Sequence, residues 1–165
     1  MSDELKDMTA LVTGGAQGIG RAIAEELLAR GAKVAIADVN AEKVQATAAE
    51  LAARGTVLPL TGNVAVSADA DALVDGVVKA WGRIDILVNN AGITRDGLAM
   101  RMKDEDWNLV LAVNLTGSFY CARAAVKTML RQRAGRIVNI ASVVGVIGNA
   151  GQVNYAATKA GVIGM

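Results

Sequence analysis

Short apolar runs rich in β-branched residues alternate with helical patterns along this chain, and this alternation limits the fold more than any other feature. Strands that alternate with helices favour right-handed βαβ units around a parallel sheet. Because the strand runs are apolar on both sides, both faces of that sheet are expected to be covered. The sequence therefore predicts an α/β fold with a doubly wound, Rossmann-like parallel sheet. The predicted strands are residues 9–13, 33–38, 57–60, 84–89 and 136–141, and the predicted helices are 21–30, 42–54, 68–80, about 105–131, and 153 onward.

The length of 165 residues predicts a single domain, residues 1–165. Pro59, the only proline, falls in the third predicted strand, which marks that strand as a candidate sheet edge because proline cannot donate to a ladder. The sequence ends at Met165, inside a helix that has only begun. We therefore expect a domain that is incomplete at its C-terminus.

Composition excludes several classes of function. The chain has no histidine and one cysteine, Cys121, which argues against a zinc site, so no metal ligands are predicted. The same counts exclude Ser-His-Asp and Cys-His catalysis. With 17 basic and 16 acidic residues spread along the chain, nothing indicates nucleic-acid or membrane binding. A lone cysteine and a polar N-terminus without a signal-peptide pattern favour a cytoplasmic protein.

A glycine-rich turn with the sequence TGGAQGIG, residues 13–20, follows the first strand and opens the first helix. Glycines let a backbone approach a pyrophosphate closely, and the helix N-terminus favours its negative charge. The spacing is Gly-x-x-x-Gly-x-Gly. A glycine turn with no ligand is the simpler interpretation, but the strand before it and the helix after it favour dinucleotide binding. The candidate residues are Gly14, Gln17, Gly18, Ile19 and Gly20.

Asp38 ends the second strand, eighteen residues after Gly20, where an acidic residue is expected to bind the adenosine ribose. A carboxylate there accepts hydrogen bonds from ribose hydroxyls and repels a 2′-phosphate, and Gln17 supplies no positive charge. NAD(H) is therefore favoured over NADP(H), which stays an alternative. Arg21 and Lys43 are the nearest partners for a phosphate, although both are more simply solvated helix charges.

Two further turns belong to the predicted nucleotide site. The sequence NNAG, residues 89–92, ends the fourth strand, and its small residues would let adenine and its ribose lie close to the backbone. The candidates there are Asn90, Ala91 and Gly92. Asn63 and Val64 follow the third strand and are weaker candidates for contact with adenine, since an asparagine at that place is more often only a turn residue.

Tyr155 and Lys159 are separated by four residues, so a helix places them on one face. The positive charge of an ammonium favours the phenolate form of a neighbouring tyrosine and makes the phenol a stronger acid. In a chain without histidine, this pair is the best-placed candidate for proton transfer. Taken singly, such a pair is more often only a surface contact.

The ordered set TGGAQGIG, NNAG, Asn114, Ser142 and Tyr-x-x-x-Lys resembles the short-chain dehydrogenase/reductase family across essentially the whole chain. The stretches after residues 90 and 134 are most similar to bacterial 3-oxoacyl-[acyl-carrier-protein] reductases. This resemblance implies reduction of a 3-oxoacyl thioester in fatty acid biosynthesis. Tyr155 would donate the proton, Lys159 would assist it and bind the nicotinamide ribose, Ser142 would bind the substrate oxygen, and Asn114 would position a water.

The resemblance also implies partners and a missing part. Gln152 could contact the acyl substrate, with residues 93–102 and 145–152 flanking the pocket, and Arg133 could dock acyl carrier protein. Family members assemble as dimers or tetramers, in part through the long helix, so a homo-oligomer is expected. They also continue beyond the position of Met165, so the chain is expected to lack the last two strands and the substrate lid. Asn63 replaces an aspartate that many relatives carry.

Three functions stay open at this point. The first is the NAD(P)H-dependent ketoreductase that the resemblance implies. The second is a non-catalytic nucleotide-binding fragment that keeps the adenine half of the site but cannot close over a substrate. The third is a family reaction on another secondary alcohol or ketone, such as that of a sugar or steroid.

Overall fold

The computed structural model describes residues 4–165 and contains one parallel sheet of five strands in the order β3-β2-β1-β4-β5. The strands are β1 (Thr9–Thr13), β2 (Lys33–Asp38), β3 (Val57–Thr61), β4 (Ile86–Asn89) and β5 (Arg136–Asn139). Every neighbouring pair in this sheet runs parallel. The predicted doubly wound α/β fold is therefore confirmed. The predicted edge position of Pro59 agrees with the place of β3 at one side of the sheet.

The helices are α1 (Gly18–Ala29), α2 (Ala41–Leu51), α3 (Ser67–Trp81), α4 (Asp104–Leu111), α5 (Gly117–Gln132), α6 (Val144–Ile147) and α7 (Val153–Gly164). A π turn, Ala112–Thr116, joins α4 to α5, and short 3₁₀ turns cover Ala52–Arg54 and Ala99–Arg101. The sequence pattern predicts one uninterrupted helix where α4, the π turn and α5 lie. It does not predict α6.

The core lies in two layers because successive residues of a strand point to opposite faces. Leu11 and Leu87 pack with α3 and α5 on one face of the sheet. Val12 and Val88 pack with α1 and α2 on the other. Both central strands are therefore apolar on both sides, which is the pattern that predicted a covered sheet.

The stretch Asp104–Gln132 is long and apolar enough to cross a membrane, judged by length and composition alone. In the fold, its α5 part packs against α3 and β4. Asn114 and Ser118 are buried within it, while Arg123 and Lys127 are on its exposed side. A helix that buries one face against a sheet and exposes cations on its other face is typical of a helix that covers a protein core. We assign this role to α5.

The strand order reverses at β1, since the chain moves outward to β2 and β3 and then returns to β4 on the other side. In such sheets ligands bind in the crevice outside the carboxyl ends of the strands at this reversal. The topology therefore places a site beside the ends of β1 and β4, where the glycine-rich turn and the NNAG sequence begin.

Candidate active site

A cleft of about 860 Å³ opens at the carboxyl ends of the strands. Its walls come from the glycine-rich turn, the ends of β2 and β3, the loop after β4, the loop after β5, and α7. Most predicted site residues lie around this one space. Those that line the cleft are Gly14, Gln17, Ile19, Gly20, Asp38, Asn63, Val64, Asn90, Ala91, Gly92, Ser142, Tyr155 and Lys159.

The glycine-rich turn has the backbone that a pyrophosphate cradle needs. Gly14 and Gly18 have φ angles of 63° and 54°, in the left-handed region that favours glycine. A Cβ atom on Gly20 would lie 2.2 Å from the carbonyl oxygen of Gly14, so only glycine fits there. Helix α1 begins with no side-chain cap and no acidic residue in its first turn. Its first N–H groups are therefore suited to a negatively charged ligand.

The NNAG turn is fastened to the glycine-rich turn by hydrogen bonds. The side-chain amide of Asn90 donates to the carbonyl groups of Thr13 and Gly14 at 3.0 and 3.2 Å. The hydroxyl oxygen of Thr13 accepts from the backbone N–H groups of Asn90 and Ala91, both at 3.1 Å. These contacts make the two turns one rigid unit across the reversal point of the sheet. Gly18 belongs to the same turn but does not line the cleft.

The acidic and amide residues predicted to contact adenosine lie at one side of the cleft. Asp38 is half-buried, and its carboxylate accepts a hydrogen bond from the backbone N–H of Asn40 at 3.2 Å. Gln17 is exposed, and its side-chain oxygen accepts a hydrogen bond from the ammonium group of Lys43. The guanidinium of Arg21 instead pairs with Glu25 and Glu50. Lys43, and not Arg21, is thus the cation adjacent to the cleft-lining Gln17.

Asn63 and Val64 line the cleft next to the end of β3. The side chain of Asn63 accepts from the backbone N–H of Ala65 at 3.0 Å, as a turn residue does. Val64 is buried, and a Cβ atom on Gly117 would lie only 2.8 Å from its Cγ2 atom. Close packing of α5 against this loop therefore fixes the position of Val64.

The three residues predicted to act on a substrate lie together at the other side of the cleft. Ser142 follows β5, and its hydroxyl accepts from the backbone N–H of Val144 at 3.2 Å. Tyr155 is half-buried on the first turn of α7, and Lys159 lies one turn further along. The ammonium of Lys159 lies 5.6 Å from the centre of the Tyr155 ring. The cleft therefore brings a hydroxyl, a phenol and an ammonium to one surface.

Lys159 is only 5% exposed, and burial lowers the pKa of its ammonium below the ordinary value for lysine. The ammonium donates a hydrogen bond to the backbone carbonyl of Ile140, in the loop after β5. This carbonyl compensates part of the lost hydration and fixes the end of a flexible side chain. A glycine at position 145 lets α6 pack against the backbone of Lys159, because a Cβ atom there would lie 2.6 Å from the carbonyl carbon of that residue.

Asn114 does not line the cleft but lies buried in the π turn behind it. Its side chain accepts from the backbone N–H of Ile93 at 2.8 Å and donates to the carbonyl of the same residue at 2.9 Å. It also donates to the hydroxyl of Thr158 at 3.3 Å. Asn114 thus connects the loop after β4 with α7. That it positions a water linking Lys159 to solvent stays a prediction.

Gln152 is the predicted substrate residue that the structure does not bring to the cleft. Its side chain donates to Asp96 at 3.0 Å and accepts from Asn149 at 2.9 Å. The backbone N–H of Gly97 also donates to the carbonyl of Gly151 at 2.8 Å. Gln152 therefore joins the two loops that were expected to flank the pocket, and its contact with an acyl substrate stays a prediction.

Sequence reasoning missed several residues around the cleft. The carbonyl of Ile140 carries no side-chain signal, because any residue supplies that acceptor. Thr158 stands inside the Tyr-x-x-x-Lys sequence and could have been found there: its hydroxyl donates to the carbonyl of Tyr155 at 2.8 Å and accepts from Asn114. Leu109 and Val113 form an apolar wall that only the packing of the long helix reveals.

The chain is similar to known proteins along most of its length. Residues 8–165 match the family described as short chain dehydrogenase. The chain is 49% identical over 159 residues to a 3-oxoacyl-[acyl-carrier-protein] reductase of Staphylococcus aureus, which covers 95% of this chain and 65% of that protein. It is 51% identical over 155 residues to the reductase of the same name from Escherichia coli, covering 94% and 63%. This chain thus spans a little under two thirds of the length of these relatives.

Proposed function

This chain belongs to the short-chain dehydrogenase family, and we propose that it reduces a 3-oxoacyl thioester, carried on acyl carrier protein, to the 3-hydroxyacyl form with NAD(P)H. One observation carries the proposal: the glycine-rich cradle and the Ser142, Tyr155 and Lys159 side chains line the same cleft. A dinucleotide bound in the cradle would extend toward these side chains. The non-catalytic alternative accounts for the cradle and leaves the phenol and the ammonium at that surface without a role.

The residues around the cleft fit a dinucleotide. The left-handed glycines, the uncapped start of α1 and the carboxylate of Asp38 are suited to the pyrophosphate and the ribose of such a ligand. When bound, a reduced nicotinamide supplies the hydride that reduces the carbonyl carbon. The protein supplies the orientation of the two reactants and the proton.

Tyr155 donates its proton to the substrate oxygen as the new C–H bond forms, so the ketone becomes a hydroxyl group without a free alkoxide. Ser142 donates a hydrogen bond to the same oxygen and holds it beside the phenol. Lys159 stabilises the phenolate that Tyr155 leaves behind, and a proton from solvent then restores the phenol. Asn114, which braces the loop after β4 against α7, keeps this geometry and would hold the water on the proton path.

NAD(H) is the cofactor that the cleft favours. The carboxylate of Asp38 would accept hydrogen bonds from the adenosine ribose and would repel a 2′-phosphate. The ammonium of Lys43 beside Gln17 acts in the opposite direction and is the group that would accept NADP(H). Because Asp38 lines the cleft and Lys43 does not, Asp38 is the stronger of the two influences, and NAD(H) is the proposed cofactor.

Arg133 is the proposed docking residue for acyl carrier protein, and its place in the fold constrains that role. It follows α5, next to Gln132, whose side chain bonds to Ile84 just before β4. The cleft lies at the other end of β4, about 13 Å away for a strand of four residues. A carrier bound at Arg133 would therefore have to reach along the sheet, or serve the cleft of a second copy.

A homo-oligomer would allow a carrier bound at Arg133 to serve the cleft of a second copy. Phe119, Val126 and Leu130 on α5 are exposed apolar side chains. A second copy that covered this face of the long helix would bury them.

We place the working protein in the cytoplasm, where its lone cysteine stays reduced.

The test is the oxidation of NADH, and of NADPH in parallel, by this chain with a 3-oxoacyl thioester. Tyr155→Phe removes only the ionisable hydroxyl and should lower kcat by roughly 10²–10⁴-fold while nucleotide binding is retained. Tyr120→Phe is the matched control, because it removes the other tyrosine of the chain and should leave kcat unchanged.

Turnover that survives Tyr155→Phe would contradict the mechanism. Nucleotide binding without turnover of any ketone would instead support the non-catalytic alternative. Turnover of a sugar or steroid ketone, but not of a 3-oxoacyl thioester, would keep the chemistry and overturn the proposed substrate.

A further inference from the structure

We propose that Asn89 is a positioning residue for Lys159 and acts through Asn139 and the backbone carbonyl of Ile140. Asn89 ends β4 and lies directly beside Asn139, which ends β5. Neither side chain lines the cleft. The inference rests on the proposed function only in treating Lys159 as catalytic, since the chain of hydrogen bonds is a property of the protein alone.

Asn89 holds the end of β5 at two points. Its side-chain amide donates to the side-chain oxygen of Asn139 at 2.9 Å. Its backbone carbonyl accepts from the N–H of Ile140, also at 2.9 Å. The same amide donates to the carbonyl of Ser118 on α5 at 3.2 Å. The side chain of Asn89 thus joins Asn139 at the end of β5 to α5, in addition to the backbone hydrogen bond that holds Ile140.

The hydrogen bonds of the Asn89 side chain all come from its amide nitrogen, which donates to Asn139 and Ser118. It is 4% exposed, and its oxygen has no hydrogen-bond partner within residues 4–165. A buried acceptor without a partner costs free energy, which an apolar side chain of similar size would avoid. The amide N–H groups of Asn89 are therefore the functional part of this side chain, and their acceptor on β5 is the side-chain oxygen of Asn139.

Ile140 transmits this restraint to the cleft. Its carbonyl accepts the hydrogen bond from the ammonium of Lys159. A lysine ammonium ends a flexible stem with three rotatable donors, so its position depends on a fixed acceptor. If residues 139 and 140 were released, the ammonium would lose that acceptor and its fixed distance from the Tyr155 ring. Displacements of this kind lower rates strongly even when the chemical groups are retained.

The test compares Asn89→Ala with Gln132→Ala, a matched control at the end of α5 whose side chain braces the opposite end of β4. Gln132 bonds to the backbone of Ile84 just before β4, accepting at 3.0 Å and donating at 2.9 Å. Both variants remove a side-chain brace from a strand end and should lower thermal stability. Only Asn89→Ala should affect Lys159. Asn139→Ala is a second variant that removes the acceptor and leaves Asn89 in place.

The readout is the ¹H–¹⁵N NMR cross peak of the Lys159 ammonium, assigned by its loss in Lys159→Met. In the wild-type protein the hydrogen bond to Ile140 should slow proton exchange and keep this peak visible. We expect it to broaden beyond detection in Asn89→Ala and Asn139→Ala, and to persist in Gln132→Ala. A peak that persists in both asparagine variants, or that is lost equally in Gln132→Ala, would overturn the proposal.

Kinetics supply the second readout. Asn89→Ala should lower kcat by about tenfold or more while KM changes by less than about twofold, because an orienting contact is lost and not a binding one. An unchanged kcat, together with a retained ammonium peak, would contradict the role. If the wild-type chain reduces no 3-oxoacyl thioester, the proposed function fails, and the NMR comparison still decides whether Asn89 positions Lys159.

Discussion

The ammonium group of Lys43 donates a hydrogen bond to the side-chain oxygen of Gln17, so a positive charge lies on the same side of the cleft as the Asp38 carboxylate. If the cleft binds a dinucleotide as proposed, these two opposite charges would act in opposite directions on the choice between NAD(H) and NADP(H). Lys43 lies in the first turn of α2, and Gln17 belongs to the glycine-rich turn. The two side chains are far apart in sequence and meet because α2 packs beside that turn.

Asp38→Ala should shift the preference toward NADPH. Loss of the carboxylate removes the hydrogen bonds to the ribose and the repulsion of a 2′-phosphate, so kcat/KM should fall for NADH and rise for NADPH. We expect the ratio of the two to change by about tenfold, the equivalent of one charged contact of roughly 1.4 kcal/mol. Lys43→Ala should move the ratio the other way. Equal ratios in all three proteins would contradict the assignment.

Gly20→Ala should weaken dinucleotide binding and lower stability. The added Cβ atom would lie 2.2 Å from the Gly14 carbonyl oxygen, so the turn must open. Gly164→Ala is the control, since nothing lies within 4 Å of the atom that it adds. Calorimetric titration with NADH and thermal unfolding of both variants measure the effect. Equal affinity in the two variants would show that the turn does not form the cradle.

Asp85→Asn should destabilise the protein at neutral pH by about 1–3 kcal/mol, since a buried carboxylate loses its hydrogen bonds. Burial acts to raise the pKa of Asp85, but the Arg83 guanidinium and the Thr9 hydrogen bonds outweigh it and hold the pKa below the ordinary value. A lowered pKa in the folded state stabilises the protein above the unfolded-state pKa, and this contribution is lost as the pH falls through the folded-state pKa.

The stability difference between Asp85→Asn and the wild-type protein should therefore shrink below about pH 4. Urea unfolding at several pH values measures it. Glu26→Gln, which changes only an exposed ion pair with Arg30, should show little effect at any pH. A difference that stays constant with pH would mean that the loss comes from packing and not from the charge.

Cys121 should not react with thiol reagents in the folded protein. It is fully buried, and burial raises the pKa of its thiol to about 12, so almost no thiolate is present at neutral pH. Because it is the only cysteine, absorbance with Ellman's reagent reports it alone. Labelling should require denaturant, whereas Gln45→Cys should add one thiol that reacts at once. Rapid native labelling of Cys121 would indicate local opening of α5.

Arg133→Glu should raise KM for an acyl-carrier-protein substrate and leave KM unchanged for a small thioester that lacks the carrier. Reversing the charge turns attraction to an acidic partner into repulsion. Arg131→Glu, two residues away on α5, is the neighbouring control. If KM for the carrier substrate stays the same in Arg133→Glu, docking at this residue is wrong, and the proposed reaction is unaffected.

The sequence by itself determined the fold class, the order of the strands along the chain, the glycine-rich turn and the Tyr155/Lys159 pair. Each of these depends on residues near one another in sequence: alternating periodicity defines strands and helices, and spacing by four places two side chains on one helical face. The predicted bounds of the first two strands agree with β1 and β2, whereas residues 84 and 85 precede β4 and residues 140 and 141 follow β5.

Only the tertiary structure decided how distant segments meet. The π turn at Asn114, the contact of Lys159 with the Ile140 carbonyl, the turn of Gln152 toward Asp96 and the distance of Arg133 from the cleft all depend on packing between elements far apart in the chain. Backbone carbonyls look alike in any sequence, and a helical pattern cannot show one extra residue in a turn. Long-range packing selects which of these groups face the cleft, and local pattern carries no record of that choice.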